Sequence, residues 1–453
     1  MKRKFNIAGS CNPQKHYMVS LDDRLKRIKE EYVDEGNYFV INRGRQYGKT
    51  TTLQALTKYL EMDYLALFLD FQKISAQKFL DEVSFSKSFV DKLLLAFRNI
   101  EANDKEKLQK ILLDFKGGCP DAGLDELFGC LGYLCESSER PVILIIDEVD
   151  SASNSQVFLD FLAQLRGCYL ERDDIPVFQS VVLAGVYDIK NLKLKLRPDA
   201  EHKYNSPWNI AIKFNVDMSF SAEQIESMLK EYEADHETGM EIRTVAGEIY
   251  QYTSGYPYLV SAICKILDEE LAGKEGFGNL TDAWTRKGIA EAVKMMLIDQ
   301  IPLFESMIHQ LKEYPEMKQV LRSVLFLGKR ISYNPDITSI NLAMMFGYIV
   351  NSEGSIQVAN RIFEMRLYNL FLSEEELSNL IYDKAQGNKS QFIRDGRLDM
   401  DLVVEKFVLY FHDIYGEKDE RFLAEHGRKF FLLYLKPIIN GTGNYYVEAQ
   451  TRQ

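Results

Sequence analysis

No apolar run in the chain approaches the roughly 20 residues that a membrane-spanning helix needs. Its start, MKRKFNIAGSCNPQKHYMV, lacks the apolar core of a signal peptide. A cytoplasmic location is the expectation. An excess of basic charge is also missing, since 55 Lys and Arg against 67 Asp and Glu leave a net charge of -12. That excludes a broadly basic coat for nucleic acid, though not a local basic face. The six cysteines (Cys11, Cys119, Cys130, Cys135, Cys168, Cys264) have no CxxC spacing, and the six histidines do not cluster with them. They read as reduced packing residues rather than metal ligands.

What is present fits a globular protein of several domains. A length of 453 residues is too much for one core, and 46% hydrophobic with 27% charged residues is an ordinary balance. The stretch that organises the chain is Asn37 to Leu53, NYFVINRGRQYGKTTTL. It reads as strand, polar glycine loop, helix. Gly48 lets backbone approach phosphates, and the N–H groups of the loop and first helical turn point at an anion with the helix dipole behind them. Lys49 supplies positive charge to β and γ oxygens, while the Thr50 hydroxyl is placed for Mg²⁺. Gly44, Arg45, Gln46, Tyr47 and Thr51 complete the cradle. One departure stands out: the usual pattern of Gly, four residues, Gly-Lys-Ser/Thr has Arg43 at its first glycine, with Gly44 one residue later.

A second motif lies about a hundred residues on. PVILIIDEVD, from Pro141 to Asp150, reads as a strand buried on both faces that delivers Asp147 and Glu148 at its C-terminal end. In a nucleotide hydrolase Asp147 belongs to the Mg²⁺ shell, and Glu148 orients and deprotonates the attacking water. The catalytic set expected is therefore Lys49, Asp147 and Glu148, with Thr50 and Asp147 at the metal.

Around these motifs the text alternates. A polar arm (1–20) closes on Tyr17-Met18-Val19 before a helix from Leu21 to Tyr32 that Ser20 or Asp22 is placed to cap. Tyr17 and Val19 either pack on an adenine or tether the arm. Strands are expected at Asn37 to Asn42, Tyr64 to Phe71, Pro141 to Asp147, Phe178 to Val186 and Asn209 to Phe214. Helical patterns fall between them, so the sheet is mainly parallel with ligands at its C-terminal rim. Tyr187, Asp188 and Asn191 leave the fourth strand where a polar group senses a γ-phosphate. Arg166 and Arg172 are either arginines offered to a neighbouring subunit's nucleotide or plain surface residues.

From Phe220 the pattern becomes helical, opening with the Ser221-x-x-Gln224 capping box. Ser254-Gly255-Tyr256-Pro257 reads as a turn between helices, and Ala272 to Leu280 as a linker. Helix, helix, helix and hairpin then follow up to Val358, the order of a winged helix. Its candidate recognition helix, ITSINLAMMF, has no Lys or Arg, which favours an internal regulatory role over DNA reading. The region after Ser373 is helical and charged, and ends in a strand-like YYVEA that suggests a truncated module. The domains expected are an arm (1–20), an α/β nucleotide domain with a parallel sheet (21–217), a helical lid (218–280), a winged helix (281–372) and an α-rich region (373–453).

RGRQYGKT, LIIDEVD, LRGCYLER, LAGVYD, SPWNIAIKF and SGYPYLV together resemble the bacterial AAA-like ATPases, close to the archaeal-type and STAND ATPases of the AAA+-related phosphate-loop group. The resemblance spans about residues 8 to 370. It implies a P-loop NTPase fold, ATP and Mg²⁺ as ligands, and ATP hydrolysis. It also implies that the Gly255 and Pro257 turn lies against the nucleotide and links its state to lid and winged helix. Protein partners or self-assembly are possible within it. Residues 390 to 453 resemble the lead-in to a PD-(D/E)XK nuclease module, with Glu425 matching that fold's first-helix acid, but its metal-holding residues are absent and no nuclease activity is expected.

Overall fold

The computed structural model describes residues 2–118, 120–152, 155–186, 208–327, 330–376, 392–394, 397–415 and 420–439. Tyr187, Asp188, Asn191 and the YYVEA segment lie outside them. The chain divides into two compact units, Met1–Ser219 and Phe220–Gln453.

The first unit is built on a sheet of four parallel strands in the order β1-β4-β3-β2. The strands are β1 (Phe39–Asn42), β2 (Leu65–Asp70), β3 (Val142–Asp147) and β4 (Ser180–Gly185). Every residue of β3 and β4 is buried, because helices cover both faces and the side chains alternate between them. On one side Phe39, Ile41, Ile143, Ile145, Val182 and Ala184 form a core with Leu25, Ile28, Leu53, Leu56 and Leu60. These come from α1 (Asp22–Ile28) and α2 (Lys49–Leu60). On the other side Leu67, Leu69, Leu144, Ile146, Val181 and Leu183 pack with the apolar stripes of α3 (Glu82–Ala96), α4 (Lys105–Gly118), α5 (Leu124–Ser137) and α6 (Gln156–Leu170). The result is a three-layer α/β/α arrangement.

The register fixes what stands at the C-terminal rim. Asn42 lies opposite Gly185, and Asp147 opposite Asp70. Gly185 ends the strand between the other two motifs, and a Cβ there would come within 2.8 Å of an Asp150 carboxylate oxygen.

Two expectations need correction. Asn209 to Phe214 does not form a fifth strand: Trp208 to Ile210 is a turn, and only Ile212 makes a bridge, its N–H donating to the Tyr38 carbonyl at 3.0 Å. The apolar spacing there serves packing instead, with Phe214 stacked on Phe39 at 5.7 Å. The helix after Leu21 has no side-chain cap on its first turn; the Ser20 hydroxyl accepts the Asp22 N–H from outside it, and the helix continues as a π-helical turn, Lys29–Val33.

The second unit is helical. The Ser221 capping box forms in full, with the Gln224 N–H on Ser221 and the Ser221 N–H on Gln224, ahead of the helix Ala222–His236. Ile242–Thr253 ends on Ser254 and Gly255 at φ 47° and 71°, and Pro257 occupies the first turn of Pro257–Lys265. Helices Pro302–Glu313, Pro315–Leu327 and Thr338–Met345 precede an antiparallel hairpin, Ile349–Ser352 with Ser355–Val358. Helices Arg361–Glu376, Met400–Tyr415 and Glu420–Ile439 follow.

Candidate phosphate-loop site

The loop between β1 and α2 turns through two left-handed residues, Gln46 at φ 57° and Gly48 at φ 79°. Gly48 is the N-cap of α2, and its carbonyl accepts the Thr52 N–H at 2.9 Å. A Cβ on Gly48 would meet nothing within 4 Å. The absent Cβ removes the conformational cost there, about 1–2 kcal/mol for an L-residue in this region.

Lys49 is buried, and its ammonium donates to the carbonyls of Arg43 at 2.9 Å and Gly44 at 3.0 Å. Both partners are backbone carbonyls of the same loop. Burial pushes its pKa down, while Glu148, Asp150 and Asp147 pull it up. The Thr50 hydroxyl donates to Asp147 Oδ2 at 2.6 Å. This bond spans the end of β4, joining the first turn of α2 to the tip of β3.

Asp147 is 1% exposed. Its other oxygen accepts the Glu148 N–H at 2.9 Å. Burial raises the Asp147 pKa, against the Thr50 and Glu148 hydrogen bonds and Lys49. Glu148 is raised by burial first and by Asp147 second. Its backbone sits at φ 55°, a sparsely populated region for a residue with a side chain, of the kind that clusters at functional sites.

Arg45 is exposed. Tyr47 packs against the α1/α2 core, and Thr51 Oγ1 accepts the Cys11 N–H at 3.1 Å, which ties the N-terminal arm to the first turn of α2. Tyr17 and Val19 are buried, Tyr17 with its ring 5.1 Å from Phe5 and under the Arg3 guanidinium at 4.7 Å. Pro257 belongs to the second unit. Arg172 is held by the Gly36 carbonyl at 3.1 Å and lies 4.2 Å over the Tyr169 ring, near the start of β1 rather than its end. The Arg166 Nε is buried and without a hydrogen-bond partner among the described residues.

The site also uses residues given no role by the motifs. Asp150 Oδ2 accepts the Val186 N–H at 2.5 Å, tying the loop after β3 to the tip of β4. The Asn42 Oδ1 and Gln46 Oε1 atoms are buried without a partner among the described residues, two polar atoms left over beside the loop. Asp150 stands in the same DEVD run as the acid pair, but its role depends on β4 lying next to β3, which local sequence does not encode.

The residues present fit a nucleotide with its divalent cation. A buried lysine, a left-handed glycine at a helix N-terminus, a hydroxyl and a carboxylate converge on one rim. A parallel sheet carrying this loop and this acid pair defines the class of phosphate-loop ATPases. Within that class the AAA-like domain family matches residues 8–374, and the chain belongs to it.

A solved structure agrees on the fold. A Walker-type ATPase of Pyrococcus abyssi is similar at a TM-score of 0.51 and 14% identity, covering 80% of this chain and 99% of that one. Weaker similarity is found to the Aeropyrum pernix ORC2 protein in its ADPNP-ADP complexes, at TM-score 0.43 and 13% identity over 82% of this chain and 96% of that one. The Aeropyrum pernix ORC1 protein in complex with DNA follows at TM-score 0.33 and 12% identity, covering 79% and 94%. Comparison with curated proteins gives no match.

Proposed function

We propose that the protein is an ATP-driven switch that binds ATP with Mg²⁺ in the first unit, hydrolyses it, and passes its nucleotide state to the helical second unit. The observation that carries this reading is the 2.6 Å bond from Thr50 to Asp147 beside the buried Lys49. Two groups a cation would share are already in place, next to the group a phosphate would neutralise. Lys49 exchanges its two carbonyl partners for phosphate oxygens. Thr50 and Asp147 would hold Mg²⁺, which would supply charge to offset that of the phosphate oxygens. Glu148 orients water and takes its proton, a task that its raised pKa favours. Tyr17 and Val19 are assigned to the adenine side of the site, supported by the Cys11 to Thr51 bond that anchors their arm.

In this reading residues 218–280 act as a lid, with Gly255 and Pro257 as its nucleotide-facing turn. Residues 281–372 act as a winged helix, supported by the order of three helices and a hairpin. Thr338–Met345 carries no Lys or Arg, so a protein surface or a second copy suits it better than DNA. The compartment that fits is the cytoplasm of a bacterium.

A second reading is a slow, nucleotide-gated interaction module, favoured by Arg43 standing where the loop pattern has glycine. Steady-state phosphate release separates the two. Lys49→Ala is expected to abolish ATP binding, and Glu148→Gln to retain binding while turnover falls by about a hundredfold. If wild type and Glu148→Gln release phosphate at the same rate, the hydrolytic reading is wrong.

A further inference from the structure

The residue that breaks the loop pattern is tied in several directions. The Arg43 N–H donates to the Gly185 carbonyl at the tip of β4, at 3.4 Å. Its carbonyl accepts from Lys49. Its guanidinium lies 5.6 Å from the Phe214 ring and donates to the Val216 carbonyl at 3.2 Å. A second arginine, buried on α1, repeats the pattern. Arg24 approaches the Thr52 hydroxyl at 3.5 Å and donates to the carbonyls of Met218 at 3.0 Å and Ser219 at 3.3 Å. Among the described residues neither guanidinium has a carboxylate in salt-bridge contact, and both donate to backbone carbonyls. Apart from the Asn42 carbonyl, which accepts from Arg43 at 2.9 Å, those carbonyls belong to Val216, Met218 and Ser219, within the last four residues before the second unit.

We propose that Arg43 and Arg24 are positioning residues that transmit the phosphate loop's state to the Val216–Ser219 segment, the covalent lead into the helical unit. The proposal rests on the nucleotide reading above. When Lys49 leaves the Arg43 and Gly44 carbonyls for a phosphate, Arg43 loses one of its ties. The loop can then settle on the phosphate only by shifting the side chain that holds Val216. Arg24 keeps the same segment registered to α2 through Thr52. The substitution of arginine for glycine at position 43 thereby acquires a purpose: a glycine has no side chain with which to reach Val216.

Amide hydrogen exchange of the full chain, with and without saturating ADP·Mg²⁺, tests this. In wild type, exchange across residues 216–219 is expected to shift by about tenfold on adding the nucleotide. In Arg43→Gln and in Arg24→Gln, each at saturation confirmed by calorimetric titration, that shift should shrink to less than about twofold. A merely structural arginine would change exchange equally in both states and leave the difference between them intact. A wild-type protein that binds ADP·Mg²⁺ without any change at 216–219 overturns the coupling alone, as does an undiminished shift in both variants. Failure of wild type to bind ADP·Mg²⁺ in the titration overturns the nucleotide reading and the coupling with it.

Discussion

At the scale of single residues, the site concentrates its demands on a few positions whose backbone or charge has no substitute. Gly48 at φ 79° is one. Gly48→Ala is expected to cost about 1–2 kcal/mol of stability in urea denaturation, because the conformation rather than the space is at fault. Asp147→Asn keeps the shape but removes the charge facing Thr50, so the Mg²⁺ needed for half-maximal nucleotide binding should rise by about tenfold. A titration of nucleotide binding against Mg²⁺ reads this directly. Lys49, Thr50, Asp147 and Glu148 were legible in the sequence because their chemistry lies in neighbouring letters with a strand before them. Asn42, Asp150 and Arg24 were not. Their parts depend on β4 being inserted between β1 and β3, and on a segment nearly two hundred positions from Arg24 in the chain.

At the scale of elements, the strands of the sheet were readable from apolar runs bounded by turn residues, whereas NIAIKF deceived. Its alternation matches a strand, yet it supplies Phe214 to the Phe39 ring and only one bridge to β1. Of its three alternate apolar residues only Phe214 is buried, while Ile212 is exposed, so the period in the letters does not show that the strand pairs. A different consequence belongs to the helix Arg361–Glu376. Glu364 Oε1 is buried without a partner among the described residues, and burial pushes its pKa up to about 7, against the pull of Arg428 and Arg361. Between its ordinary value of 4.5 and about 7, the folded chain holds a proton that the unfolded chain has released. Stability contributed by this group is therefore lost as pH rises through that window. Glu364→Gln should be more stable than wild type by about 1–3 kcal/mol at pH 8, with the gap closing toward pH 4, as measured by urea denaturation across pH.

At the scale of the whole molecule, the chain is two compact units that meet covalently at Ser219 and Phe220. A ligand bound within the first unit stabilises that unit by mass action, by about 2.7 kcal/mol at a hundred times its Kd. Two calorimetric transitions are expected, with ADP·Mg²⁺ raising one of them. The second unit has its own weak point in Gly255, where a Cβ would stand 1.8 Å from the Phe220 carbonyl oxygen. Gly255→Ala should cost at least about 3 kcal/mol in the stability of the second unit, read by calorimetry without nucleotide. The backbone of Glu148 has a consequence for how such a protein ages through mutation. Held at φ 55° and half-buried, it is a spot where glycine would make the molecule sturdier and, on the hydrolytic reading proposed above, chemically idle at once. Lineages that stop needing the reaction have a downhill path open to them at this codon, so an inactive descendant would be expected to melt later than its working ancestor.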